Sequence, residues 1–169
     1  YDFFDATINS DGVWTSADSF GGNGAEHAVG LKLTPQGDAI ILGLMTGSFQ
    51  LGDEVLIDQD GYNDAEHYDM FLAQRLANGS WDWAISAGGS GNDLALELAF
   101  NSDGSPVVGF ISNADAVIIT HEFDQRDSYD MGVWMYVTDL DADGVLDGMD
   151  NCPKLANTNQ ANFDLDVYG

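Results

Sequence analysis

The stretch Tyr68-Asp69-Met70-Phe71-Leu72-Ala73-Gln74-Arg75-Leu76-Ala77-Asn78-Gly79-Ser80-Trp81 restates the plan of Tyr1-Asp2-Phe3-Phe4-Asp5-Ala6-Thr7-Ile8-Asn9-Ser10-Asp11-Gly12-Val13-Trp14. Each passage opens on Tyr-Asp, runs through apolar residues to a turn at Asp11-Gly12 or Asn78-Gly79, and resumes at a tryptophan. The offset from Tyr1 to Tyr68 is also the offset from Trp14 to Trp81, and a constant offset of this kind is the mark of a repeat architecture. It extends outward: Gly21-Gly22-Asn23-Gly24 meets Gly88-Gly89-Ser90-Gly91, Ala28 meets Ala95, Leu31 meets Leu98, and Gly37 meets Gly104. With a slip of a single position, Gly43 meets Gly109. A third start, Tyr129-Asp130-Met131-Gly132, follows the second at a slightly shorter interval and then runs into different sequence.

Within each copy, short apolar stretches alternate with turns of Gly, Asn, Asp and Ser, as at Asp38 to Leu44, Tyr68 to Leu76, Trp81 to Ala87 and Val107 to Ile111. Such runs predict strands. No segment carries a capped stripe of helical period, so helix is expected to be minimal. The Gly-Gly-x-Gly elements lack the Lys-Ser or Lys-Thr of a phosphate loop and read as tight turns. The fold class is therefore all-β, with strands beginning at Tyr1, Tyr68 and Tyr129, and with Trp14 and Trp81 expected in matching, core-like surroundings.

The ordered landmarks (Tyr-Asp-x-Phe strand, Gly-x-Trp strand, Gly-Gly-x-Gly turn, strand, Gly turn, strand) resemble the bacterial β-propeller repeat family over residues 1 to 138. The resemblance implies four-stranded blades. The organisation it suggests is a first repeat at 1–67, a second at 68–128, the first strand of a third at 129–138, a calcium segment at 139–160 and a strand-like tail at 161–169. Two blades fall short of the roughly four that close a propeller. Open edges and apolar faces then call for cover, and three resolutions exist: the chain is a fragment of a longer propeller, several chains close a ring together, or the two copies pack face to face as a sandwich and pair onward with neighbours.

Charge narrows the partners. The chain carries 29 Asp and Glu against four Lys and Arg, a formal net charge of -25. Such a field repels phosphate backbones and anionic lipid, which argues against nucleic acid and membrane surfaces and favours cations. No apolar run approaches the roughly 18 residues of a membrane span. The one cysteine, Cys152, has no partner within the chain.

The acids are not all scattered. Asp139, Asp141 and Asp143 occupy positions 1, 3 and 5 of a twelve-residue loop, with Gly144 at 6, Val145 at 7, Asp147 at 9 and Asp150 at 12. This is calcium-loop spacing: Ca²⁺ takes six to eight oxygens, alternate residues aim carboxylates inward, Gly allows the sharp turn and position 7 offers a backbone carbonyl. Past the loop, Asp150-Asn151-Cys152-Pro153, Asn157 and Gln160 resemble the thrombospondin type 3 repeat. That resemblance implies an extracellular setting and carries Asp139, Asp141, Asp143, Asp147 and Asp150 over as ligands. It adds Asn151 toward a second ion, with Asp164 and Asp166 as further contributors. The tail departs from the pattern, because Val167 replaces the expected Gly and Phe163, Leu165 and Val167 alternate with Asn162, Asp164 and Asp166 in the period of a strand.

No catalytic constellation stands out. His27, His67 and His121 are dispersed, no Gly-x-Ser-x-Gly turn occurs, and Cys152 sits inside a calcium motif. The expectation is a secreted, calcium-binding, non-enzymatic structural or adhesive protein that self-associates, with the tail adding as a strand to the next copy. The alternative is a glycan- or ligand-binding module using Trp14, Trp81, Trp83 or Trp134.

Overall fold

The structure is a computed structural model that describes residues 1–59, 61, 67–102, 104–118, 121–124, 129–137, 155–156 and 158–159. Among these residues there are thirteen strands and no helix: β1 (Phe3–Ile8), β2 (Trp14–Phe20), β3 (Glu26–Leu33), β4 (Ala39–Met45), β5 (Phe49–Leu51), β6 (Glu54–Leu56), β7 (Asp69–Arg75), β8 (Trp81–Gly89), β9 (Asp93–Phe100), β10 (Pro106–Ser112), β11 (Ala116–Ile118), β12 (His121–Phe123) and β13 (Asp130–Met135). The all-β expectation holds. Each predicted apolar stretch lies on a strand that begins at or beside its expected start.

The period is visible in the backbone. The Gly12 amide donates to the Asn9 carbonyl and the Gly79 amide to the Leu76 carbonyl; Gly37 to Thr34 is matched by Gly104 to Asn101; Glu26 to Tyr1 is matched by Asp93 to Tyr68. Every pair is displaced by the interval that separates Tyr1 from Tyr68. Gly12 and Gly79 (φ 78° and 90°) and Gly37 and Gly104 (φ 90° and 86°) sit in the left-handed region, which a Cβ disfavours. That is why Gly recurs at these two turn positions.

Strand pairing follows the copies less simply. β1 and β2 form a two-stranded antiparallel sheet, and β5 and β6 another. A six-stranded sheet runs in the order β12-β11-β8-β7-β4-β3, and a three-stranded one in the order β13-β10-β9. So β3 and β4, from the first copy, join β7 and β8, from the second, and the sheet unit is offset by half a copy from the sequence repeat. The β4–β7 register sets Gly43 opposite Phe71.

That register corrects the expected slip. A Cβ on Gly43 would strike the ring of Phe71, and a Cβ on Gly132 would strike the ring of Phe110. The step from Gly43 to Phe110 equals that from Tyr1 to Tyr68, and the step from Phe71 to Gly132 equals that from Tyr68 to Tyr129. Phe110, not Gly109, is therefore the counterpart of Gly43. One glycine and one phenylalanine occupy each site with the roles exchanged, which conserves volume in a close-packed interior.

Contacts divide the chain into two units, Tyr1–Leu98 with Gly109–Gly132, and Ala99–Val108 with Val133–Gly169. In the first, β1 and β2 lie against one face of β4, β7 and β8. Phe3 stacks on Phe71 at 5.5 Å, Phe49 meets Phe71 edge-on at 5.4 Å, and Ile41, Met45, Leu51, Leu56, Ala73 and Ala84 complete the core. In the second, the Asn101–Ser105 turn is closed by backbone bonds, and the Tyr136 amide donates to the Pro106 carbonyl.

Candidate functional site

Two acidic positions turn out to be structural. The amide of the second glycine of each Gly-Gly-x-Gly turn donates to a carboxylate: Gly22 to Glu26 Oε2 at 3.2 Å, and Gly89 to Asp69 Oδ1 at 3.2 Å. Gly22 and Gly89 are counterparts, but the acceptor comes from the head of β3 in the first copy and from β7 in the second. Asp69 also accepts from the Gln59 amide at 2.6 Å. Glu26, Asp69 and Asp93 are all buried. Burial, followed by the nearby negative charge of Asp2, holds the Glu26 carboxyl above the usual carboxylate range, with the Gly22 bond pulling the other way. The absence of bulk at Gly21 and Gly88 is what lets these carboxylates approach the turn.

Among the described residues, the cation Arg75 is used in the same structural sense. Buried Arg75 reaches back from β7 to Asp5 on β1 and to Asp18 on β2, the latter at 2.8 Å, while its guanidinium lies 5.0 Å from the Phe20 ring centroid. This clamps the β1–β2 hairpin onto the six-stranded sheet.

The tryptophans differ from expectation. Trp81 is half-buried, with Phe20 packed edge-on at 5.0 Å, whereas Trp14 is 67% exposed. The physical reason is position: Trp81 is covered by β2 of the copy before it, and no described residue stands in that place for Trp14. Trp83 donates to Gln74 Oε1 at 2.7 Å, and Trp134 is half-buried. Of the four, Trp14 alone is exposed; it lies opposite exposed Ile8 on the outer face of β1 and β2, a face that exposed Phe4 shares farther along the strand. Sequence reasoning missed this face. Its signal was present in the repeat, since Phe4, Ala6, Trp14 and Ala17 align with the buried Phe71, Ala73 and Ala84 and the half-buried Trp81.

Among the histidines, His27 lies between Tyr1 and Tyr68, with ring centroids 6.0 and 5.8 Å away. No group of three or more His, Cys, Asp or Glu suited to a metal ion occurs among the described residues. The predicted ligands Asp139, Asp141, Asp143, Val145, Asp147, Asp150, Asn151, Asp164 and Asp166 all lie outside the described residues, as do Cys152 and the tail 161–169. Their donor chemistry fits the ion: five carboxylates and a carbonyl between Asp139 and Asp150, with no thiolate or imidazole, form a hard oxygen set suited to Ca²⁺ and unsuited to a soft metal.

Comparison with known proteins places this segment. Residues 138–160 match the family model of the thrombospondin type 3 repeat. No match was found among curated proteins or among solved structures, and nothing supports the β-propeller repeat family for residues 1–138. No helix among the described residues is long and apolar enough to cross a membrane. The chain thus carries, at 138–160, a repeat of a calcium-binding kind that is typical of extracellular proteins.

Proposed function

We propose that the chain is a secreted or cell-surface structural or adhesive module, in which a β-repeat body is followed by a segment that calcium stiffens. The observation that carries this reading is the type 3 repeat match at 138–160 over the Asp139, Asp141, Asp143, Asp147, Asp150 spacing. Asp139, Asp141, Asp143, Asp150 and the Val145 carbonyl would hold the ion, with Asp147 direct or through water. Asn151, Asp164 and Asp166 would serve a second ion. When bound, calcium neutralises carboxylates that otherwise repel one another, and so orders their loop. The role is non-catalytic. Stacking of the repeated sheets in the manner of a β-propeller, and strand addition by residues 162–168 to a neighbouring copy, belong to the same proposal.

Calorimetry at millimolar Ca²⁺ tests it. Binding heat is expected from the full chain, and Asp141→Ala or Asp143→Ala should reduce affinity at least about tenfold, since each removes a charged ligand. Heat that is absent, or unchanged in both variants, overturns the assignment. Deleting residues 161–169 tests the tail, because strand addition requires that the shortened chain lose an oligomer formed by the full one. The glycan reading is weaker on physical grounds: Trp14 pairs across the hairpin with apolar Ile8, whereas a sugar site pairs an aromatic platform with well-placed polar groups.

A further inference from the structure

The first copy presents to solvent a face that the second copy buries. On β1 and β2, Phe4, Ala6, Ile8, Trp14, Ala17 and Ser19 share one side of the hairpin and are all exposed, Phe4 at 74% and Trp14 at 67%. Their counterparts in the second copy are Phe71, Ala73, Arg75, Trp81, Ala84 and Ser86, on the side of β7 and β8 that packs against Phe3, Asp5, Asp18 and Phe20. The molecule therefore shows what covers such a face: the opposite face of another β-repeat.

The third copy offers that opposite face. Tyr129 begins it as Tyr1 and Tyr68 begin the first two, so Met131, Val133 and Met135 on β13 stand where Phe3, Asp5 and Thr7 stand on β1. All three are exposed, Met131 at 75% and Val133 at 71%. The chemistry matches across the two ends. Inside the chain, Asp5 meets Arg75, an acid against a cation. On the two exposed faces the same two positions hold Val133 and Ile8, so one apolar residue would meet another and no charge would be buried unpaired. Met131 and Met135 adapt to irregular aromatic surfaces such as Phe4 and Trp14.

We infer that the outer face of β1 and β2 is a docking surface for a second copy of this chain, which seats the Met131, Val133 and Met135 side of its β13 on Phe4, Ile8 and Trp14. The contact is heterologous, so each copy keeps one face free after docking. It uses side-chain faces and not strand edges. It also stands apart from the calcium reading, because none of its residues lies in 139–160. Like charge on the two copies opposes docking, and salt relieves this.

Sedimentation equilibrium of the full chain, at up to about 100 μM in about 0.15 M salt and with EDTA or Ca²⁺, tests the inference. Self-association is expected in both, and stronger at higher salt. Trp14→Glu and Val133→Glu each change an exposed residue, so both should fold, as circular dichroism would confirm, and each should weaken association at least about tenfold. Mixed together, they should form a one-to-one pair, since Trp14 of one and Val133 of the other are intact. A monomeric wild-type chain in EDTA and in Ca²⁺ overturns the inference. So does undiminished association of either variant, or a mixture that forms no pair. Loss of association on removing calcium alone, with both face variants behaving as wild type, would place assembly in the calcium segment and refute docking through this face.

Discussion

Glu26 shows how one position in an acidic protein departs from the rest. Described acids such as Asp2, Asp11, Asp53 and Glu54 are exposed, but Glu26, like Asp69 and Asp93, is buried; it sits at the head of β3, with Asp2 close by and the Gly22 amide as its donor. Its carboxyl is held above the ordinary range chiefly by desolvation. The folded state therefore holds a proton that the unfolded state has released, and stability falls as pH rises. The penalty is absent below the unfolded value of about 4.3, grows as pH climbs through the raised folded value, and is constant above it. Glu26→Gln keeps an oxygen for the Gly22 amide and removes the charge. It should stabilise the chain at pH 7 and flatten the decline above pH about 4.3. Melting temperatures of both proteins across pH 4 to 8 check this; parallel curves would refute it.

At the level of strands and turns, much was legible because the turns report backbone geometry directly. Gly12, Gly37, Gly79 and Gly104 stand where φ is positive, and their spacing exposed the period before any strand was placed. The pairing of strands across copies was not legible, because a strand's apolar pattern does not say which neighbour completes its ladder. Nor did the Gly43–Gly109 alignment survive, since glycine identity suggested a slip while the packing preserves the sum of two side chains. This packing carries a prediction. Phe71→Ala should cost about 3–5 kcal/mol, because Phe71 is fully buried. Gly43→Ala forces a methyl into the ring and should cost about 1–3 kcal/mol. Combined, they should cost less than the two added together, because the smaller residue removes the ring from the methyl's path and leaves the His27 carbonyl, 2.7 Å away, in contact. Additive losses in a denaturant-unfolding cycle would show that the two sites are not packed as described.

For the molecule as a whole, two opposing electrostatic effects meet. Salt weakens the Arg75 pairs with Asp5 and Asp18, yet it also screens a net charge of -25. The Arg75–Asp18 pair, half exposed on the acid's side, contributes about 0–1 kcal/mol, and the more buried Arg75–Asp5 pair is little screened by salt, so self-repulsion should dominate. Raising salt from about 0.01 to about 0.15 M should stabilise the fold, by about 1 kcal/mol or more. Destabilisation by salt would reverse that ranking. At this scale the sequence was informative about calcium, because hard-ion chemistry dictates which residue types recur and at what spacing. It was uninformative about Trp14, because exposure depends on whether a neighbouring repeat covers the residue and not on the residue's type.

The exchange of Gly43 over Phe71 for Phe110 over Gly132 has an evolutionary consequence. Tandem repeats gain and lose copies by unequal recombination, which succeeds when the copies are interchangeable. Here they are not. Excising the second copy would bring Gly43 opposite Gly132 and open a hole, while duplicating it would bring Phe110 opposite another Phe71 and jam two rings together. Either event yields a misfitting junction unless a compensating substitution arrives with it. The order of the copies is thus locked by steric parity, and lineages that change copy number would have to break or insert the series at a junction where the large and small partners still alternate.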